Sequence, residues 1–204
     1  MKTLQNTDLE NIINDSLENA ISYQDYRNLV KDLVTKESTT GNEKTEALAN
    51  YTMLNDKRMK RWDKTVKVSE VVQETVSKSS VNQTWIVLTE SWCGDAAHLM
   101  PVMNKVADLN KGINFKVLLR DENQVLMNQF LTNGGQAIPK LIMIDNNTKT
   151  VINTFGPRPS EATKLVNDYK AEHGKLTPEF KEDLQGWYNK NKGQNAISDL
   201  VSLL

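Results

Sequence analysis

A change of hydrophobic period near Thr84 constrains this chain more than any other feature. Up to about Ser80, apolar residues recur at helical spacing and no window alternates with the period of two expected of a half-buried strand. Then Trp85-Ile86-Val87-Leu88 forms an aromatic, β-branched and aliphatic run of strand length, closed by the turn-like Glu90-Ser91-Trp92-Cys93-Gly94-Asp95. The pattern that follows predicts a helix over about 95–110, a strand at 115–119, a helix over about 122–132, strands at 141–144 and 151–155, and a helix over about 160–172. Helical crossovers imply parallel strands, whereas the short 145–149 connection implies an antiparallel hairpin, so the expected fold class is α/β with a four-stranded mixed sheet in the order βαβαββα.

Two helical segments flank this unit, giving expected divisions at 1–80, 81–174 and 175–204. In the first, Leu9, Ile12, Ile13, Leu17 and Ile21 form one apolar face, opened by Thr7-Asp8-Leu9-Glu10, in which hydroxyl and carboxylate can cap each other's free amides. Tyr26, Leu29, Val30, Leu33 and Val34 form a second stripe, ended by Ser38-Thr39-Thr40-Gly41-Asn42. A third helix, about 43–64, contains Lys57-Arg58-Met59-Lys60-Arg61-Trp62. Because Leu48, Tyr51, Met59, Trp62 and Val66 keep helical spacing, the apolar members are expected to face a core and the cations solvent. This segment is expected to pack on the α/β core. After Gly174, Thr177-Pro178-Glu179 starts one or two further helices that read as an appendage, with Leu184, Trp187 and Tyr188 available for packing.

Composition narrows the function classes. With 25 basic and 26 acidic side chains the net charge is −1, so no global cationic field recruits nucleic acid or anionic lipid. No run approaches the roughly 20 apolar residues that span a bilayer, and Met1 to Asp8 has no apolar signal core, so the cytoplasm is the expected compartment. The single cysteine, Cys93, excludes an internal disulfide and, with only His98 and His173 beside it, a cysteine-rich metal site. No metal or cofactor is expected.

Cys93 is the one chemical candidate. It follows a strand and opens a helix, where free backbone N–H groups and the helix dipole favour a thiolate, the nucleophilic form of the side chain. Asp95 opposes this by placing a carboxylate at the same terminus. His98 lies five positions on, roughly 140° off the cysteine's helical face, and is expected to be exposed or partly packed and not to act as a base. Gly134-Gly135 ends a helix and precedes a strand, the reverse of a phosphate-cradling loop, and Asp121-Glu122 fits a helix N-terminus better than an acid/base dyad.

Trp92-Cys93-Gly94-Asp95-Ala96 resembles the thioredoxin active-site motif W-C-G-P-C, and βαβαββα is the thioredoxin-fold order. Pro101, eight residues after Cys93, matches that family's helix-kinking proline. Gly135-Gln136-Ala137-Ile138-Pro139 resembles its cis-proline loop, and Gly156 a further family glycine. The likeness spans about Asn82 to His173, and with Gly156-Pro157-Arg158-Pro159 it is similar to poorly characterised bacterial thioredoxin-like proteins. It implies a substrate groove in which Trp92, Gly94, Asp95, Ile138 and Pro139 surround Cys93. Two parts are missing. The second cysteine falls on Ala96, which rules out dithiol cycling within the chain, and the buried acid that serves as proton acceptor falls on Val87.

The expected function is therefore monothiol thiol–disulfide exchange. The Cys93 thiolate attacks a disulfide, forms a mixed disulfide and expels the other sulfur as a thiolate, and a second thiol clears the adduct. Its partners would be proteins or low-molecular-weight thiols and disulfides, not nucleic acid or membrane, with a homodimer as a further option. The alternative is a catalytically inactive thioredoxin-fold module that binds proteins. A peroxide-type or glutathione-linked reaction has neither of its usual residue sets in this sequence.

Overall fold

The computed structural model describes residues 6–204, with side chains from Asp8 onward. The Thr7–Glu10 capping pair falls outside the described side chains. Among the described residues, four helices precede the sheet: α1 (Asn6–Leu17), α2 (Tyr23–Thr35), α3 (Glu46–Thr65) and α4 (Glu70–Lys78). Then come β1 (Gln83–Thr89), α5 (Gly94–Ala107), β2 (Ile113–Leu119), α6 (Gln124–Met127), β3 (Lys140–Asp145), β4 (Val151–Phe155), α7 (Ser160–His173), α8 (Pro178–Asn191) and α9 (Gln194–Val201). The sheet order is β2-β1-β3-β4, with β1 parallel to β2 and antiparallel to β3, and β3 antiparallel to β4. This is the mixed α/β arrangement expected from the sequence.

β1 is central, and all seven of its residues are buried. That is why it reads as a continuous apolar run and not as an alternating one. The indole nitrogen of the fully buried Trp85 donates to Gln83 Oε1 at 2.8 Å. Helix α5 packs its apolar side across the sheet, so that ten of its residues from Ala96 to Ala107, among them Leu99, Met100, Met103 and Val106, are buried. Side chains of this size contribute about 1.5–3 kcal/mol each on full burial. The flanking segments share one core with this unit: Ile13, Tyr26, Val30, Met59, Trp62 and Val76 from one end, and Leu184, Tyr188, Ile197 and Leu200 from the other.

Several boundaries differ from expectation for local reasons. Helix α1 stops at Leu17, and Ile21 instead pairs with Val117 as an isolated antiparallel bridge, its N–H donating to Val117 O at 3.0 Å and its carbonyl accepting from Val117 N at 2.9 Å. The free edge of β2 is thereby covered. The expected helix over 122–132 contracts to α6, because the chain turns at Phe130 and Thr132 pairs with Gly135 across a tight loop. On α3 the inward face is Thr52, Asn55, Met59 and Trp62. Tyr51, expected inside, is 54% exposed, because the polar pair Thr52 and Asn55 is needed against the loop that precedes α5.

Candidate functional site

The loop between β1 and α5 is assembled from both flanking segments. Ser91, buried, is the hub: its Oγ accepts from Thr40 N at 3.0 Å and lies 2.8 Å from Thr52 Oγ1, while its own N–H donates to Thr40 Oγ1 at 2.7 Å. Asn55 Nδ2 donates to Ser91 O at 2.9 Å. The α2–α3 loop and α3 therefore sit directly on the turn that presents the cysteine. Gly41 lies against Trp92, with φ of +88° and with Trp92 Nε1 3.1 Å from where a Cβ would stand, so a side chain there would be strained and crowded.

Cys93 is the N-cap residue of α5: its carbonyl accepts from Ala97 N at 3.1 Å, but its side chain makes no capping bond. The thiol turns inward, 8% exposed, and donates to Ile138 O at 3.4 Å. Ile138 is buried and the Ile138–Pro139 bond is cis. Behind Pro139 stands Gly156, whose φ is +103° and whose absent Cβ would lie 2.2 Å from Pro139 O. Only glycine fits that approach. Burial pushes the Cys93 thiol up to about 12, and the Asp95 carboxylate adds to the effect, against the smaller opposing influence of the α5 amides and Arg158.

Asp95 is itself held in a closed network. Its Oδ2 meets Arg158 Nη2 at 2.6 Å and its Oδ1 accepts from Tyr188 Oη at 2.8 Å. Burial raises its pKa, with Arg158 and Tyr188 pulling the other way. Tyr188 comes from α8 and stacks on His98 with ring centroids 4.3 Å apart. The tail that reads as an appendage in the sequence thus supplies a partner of Asp95. His98 is not the exposed or partly packed residue expected: it is 3% exposed. Its Nδ1 accepts from Trp62 Nε1 at 2.8 Å, so the ring proton is on Nε2 and donates to Gln185 Oε1 at 2.7 Å. Burial lowers its pKa to about 4.

The structure gathers Cys93, Gly94, Asp95, Ile138 and Pro139 at one place. Trp92 turns the other way, half-buried, with the Arg120 guanidinium 5.1 Å from its ring centroid. Sequence reasoning missed Glu90, which is fully buried. Its Oε1 accepts from Asp121 N at 2.9 Å, and burial raises its pKa. Its position two residues after the apolar run Trp85 to Leu88, at the end of the buried strand, was the available signal. Asp121, expected at a helix start, instead holds the α2–α3 loop by accepting from Asn42 N at 2.9 Å and pairs with Arg120. Arg58 was also missed. Its Nη1 lies 3.8 Å from the Cβ position of Gly94 and donates to Asn55 Oδ1 at 2.9 Å. Among the described residues no group of three or more His, Cys, Asp or Glu side chains is placed to hold a metal ion, and no helix is long and apolar enough to cross a membrane.

Comparison with known proteins adds the family. The thioredoxin family model matches residues 41–170. The chain belongs to the thioredoxin family. The matched span of this thioredoxin-family chain takes in α3 and α4 besides the α/β unit, so the helix that carries Thr52 and Asn55 to the Cys93 turn lies within the family pattern, whereas Thr40 and Tyr188 lie outside it. No curated protein matches this thioredoxin. Among solved structures it is similar to a protein of unknown function, PA1234, from Pseudomonas aeruginosa, with 13% identity and a TM-score of 0.56 over 76% of this chain and 89% of that one. It is also similar to an HIV epitope scaffold, with 15% identity and a TM-score of 0.57 over the same shares. At these identities the likeness shows the thioredoxin fold alone.

Proposed function

We propose that this thioredoxin-family chain works by binding and not by thiol turnover, with Cys93 kept as a protonated, packed thiol. One observation carries this reading: the Cys93 thiol is buried, hydrogen-bonded to Ile138 O and pushed up to about 12. At neutral pH the thiolate fraction is then on the order of 10⁻⁵, against about 3% for an unperturbed cysteine. The absence of a cysteine at Ala96 agrees with it, because a mixed disulfide would have no resolving thiol within the chain. The test is intact mass spectrometry after incubation at pH 7.5 with excess glutathione disulfide. The folded protein is expected to stay unmodified over a period in which the same protein in 8 M urea, about the top of the usual denaturing range, is fully converted. A mixed disulfide forming on the folded protein at the rate of the unfolded control overturns the reading.

Monothiol exchange through Cys93 is the second reading. The observation that favours it is the placement of Cys93 at the N-cap of α5, where the amides of Asp95 and Ala96 favour the thiolate. In that reading Asp95 tunes the thiol, Trp92, Gly94, Ile138 and Pro139 frame the partner, the partner is a protein or a low-molecular-weight disulfide, and the compartment is the cytoplasm.

A further inference from the structure

The basic run on α3 makes a second site. Lys57, Arg58 and Arg61 lie within one turn of α3 and line an open cleft of about 350 Å³ together with His98 on α5 and Gln185 and Asn189 on α8. No carboxylate lines it. The acids of α3 lie elsewhere: Glu46 is in its first turn, and Asp56 and Asp63 both pair with Arg27 of α2 at 3.0 Å, on the opposite side of the helix. Among the described residues, Lys57, Arg58 and Arg61 make no salt bridge; Arg58 Nη1 donates to Asn55 Oδ1, Arg61 Nη2 donates to Asn189 Oδ1 at 2.6 Å, and the Arg61 guanidinium lies 4.9 Å from the Trp62 ring centroid. Like charges three and four positions apart on a helix, here Arg58 with Arg61 and Lys57 with Arg61, disfavour it, and burial and the nearby Arg61 both lower the pKa of Arg58. Asn189 accepts through its oxygen, and Gln185 accepts from His98, so both amides keep N–H groups to donate.

We propose that this cleft between α3 and α8 binds a compact polyanion, a small molecule with two or more negative charges on phosphate or carboxylate groups. Guanidinium forks suit both groups, and a cleft of this volume matches a small ligand in size. Arg58 places the bound charge beside Gly94, on the turn that carries Cys93. The proposal rests on the binding reading above and names its ligand. Disulfide labelling tests that reading and anion binding tests this one, so the two can fail separately.

The experiment is isothermal titration of the full chain with inorganic pyrophosphate and, separately, with citrate at 150 mM salt, with the change in tryptophan fluorescence that is lost in Trp62→Phe as a second readout, because the Trp62 indole N–H is bonded to His98 beside the cleft. Saturable binding of either anion is expected, and which of them binds tighter assigns the phosphate or carboxylate class. Arg58→Gln/Arg61→Gln is expected to weaken it at least tenfold, while Lys105→Gln/Lys111→Gln, which removes the same charge elsewhere, leaves it unchanged. If the arginine pair fails to fold by circular dichroism, the exposed Lys57→Gln is expected to weaken binding alone. Binding of neither anion, equal loss in both double variants, or tighter binding of a single-stranded oligonucleotide than of either anion overturns the proposal.

Discussion

Replacing Asp95 by Asn isolates what keeps Cys93 protonated. Two influences raise the thiol, burial first and the Asp95 carboxylate second, and the substitution removes the second while preserving shape and an acceptor for Tyr188. A unit charge within 4–7 Å is worth about 2–4 kcal/mol at an effective dielectric near 20. Arg158, 2.6 Å from that carboxylate, acts on the thiol in both proteins and drops out of the comparison, so the longer separations in that range give a fall of about two pKa units. Burial is untouched, so the variant thiol still titrates above the ordinary value of about 8.5. Alkylation by iodoacetamide, followed by mass spectrometry from pH 7 to 10.5, reads this directly. In this range the rate follows the thiolate fraction, and Asp95→Asn is expected to react about 10–100-fold faster than wild type at each pH. Two results would refute the assignment: equal rates in the two proteins, or a wild-type rate that levels off below pH 9.

Two further outcomes follow from the buried neighbours. His98 is held neutral, its pKa lowered by burial to about 4 from 6.5. Between those values the unfolded chain takes up a proton that the native one does not, so stability is lost as pH falls from 6.5 towards 4, by about 3 kcal/mol in all. Urea unfolding at pH 7.5 and 4.5 is expected to show that part of the acid sensitivity disappearing in His98→Asn, and an unchanged pH dependence in the variant would count against it. Gly156→Ala must place a Cβ 2.2 Å from Pro139 O at a φ of +103°, whereas Gly134→Ala, at φ +77°, meets nothing within 4 Å. The first is expected to cost upwards of about 3 kcal/mol and the second about 1–2 kcal/mol, read from urea midpoints at constant slope; similar midpoints would mean that the close approach to Pro139 is not rigid.

The α/β unit was legible because its signals are local. A strand buried on both faces, such as Trp85 to Leu88, is apolar throughout, and a turn followed by a helix N-terminus announces itself within a few residues. The motif around Cys93 and the loop before Pro139 could be aligned by eye for the same reason. What could not be read were contacts between residues far apart in sequence that follow no period: Ser91 with Thr40, Asp95 with Tyr188, Gly94 with Arg58. The face of α3 shows why. Helical spacing marked Leu48, Tyr51, Met59, Trp62 and Val66, yet two of the inward positions are Thr52 and Asn55. They are buried because Ser91 offers them hydrogen bonds, and no pattern of hydrophobicity records that.

Those same long-range contacts bear on what the motif alone implies for Cys93. Position alone makes Cys93 a thiolate candidate, since any cysteine at the start of α5 faces free amides. The outcome is decided by what closes around it: the α2–α3 loop and α3 over Ser91, Ile138 O on the thiol itself, and α8 delivering Tyr188 to Asp95. A thiol that has lost water loses more from burial than the helix terminus returns, because desolvation acts on the full charge of the thiolate and the amides only on part of it. The charged groups that do keep solvent, Lys57 and Arg61, lie across α3 from their nearest acids. Helices α3 and α8, which reach the Cys93 turn through Asn55 and Tyr188, are also the ones that line the cleft of Lys57, Arg58 and Arg61, so on the binding reading a ligand there would meet Arg58 beside the Gly94 turn without needing the thiol to react.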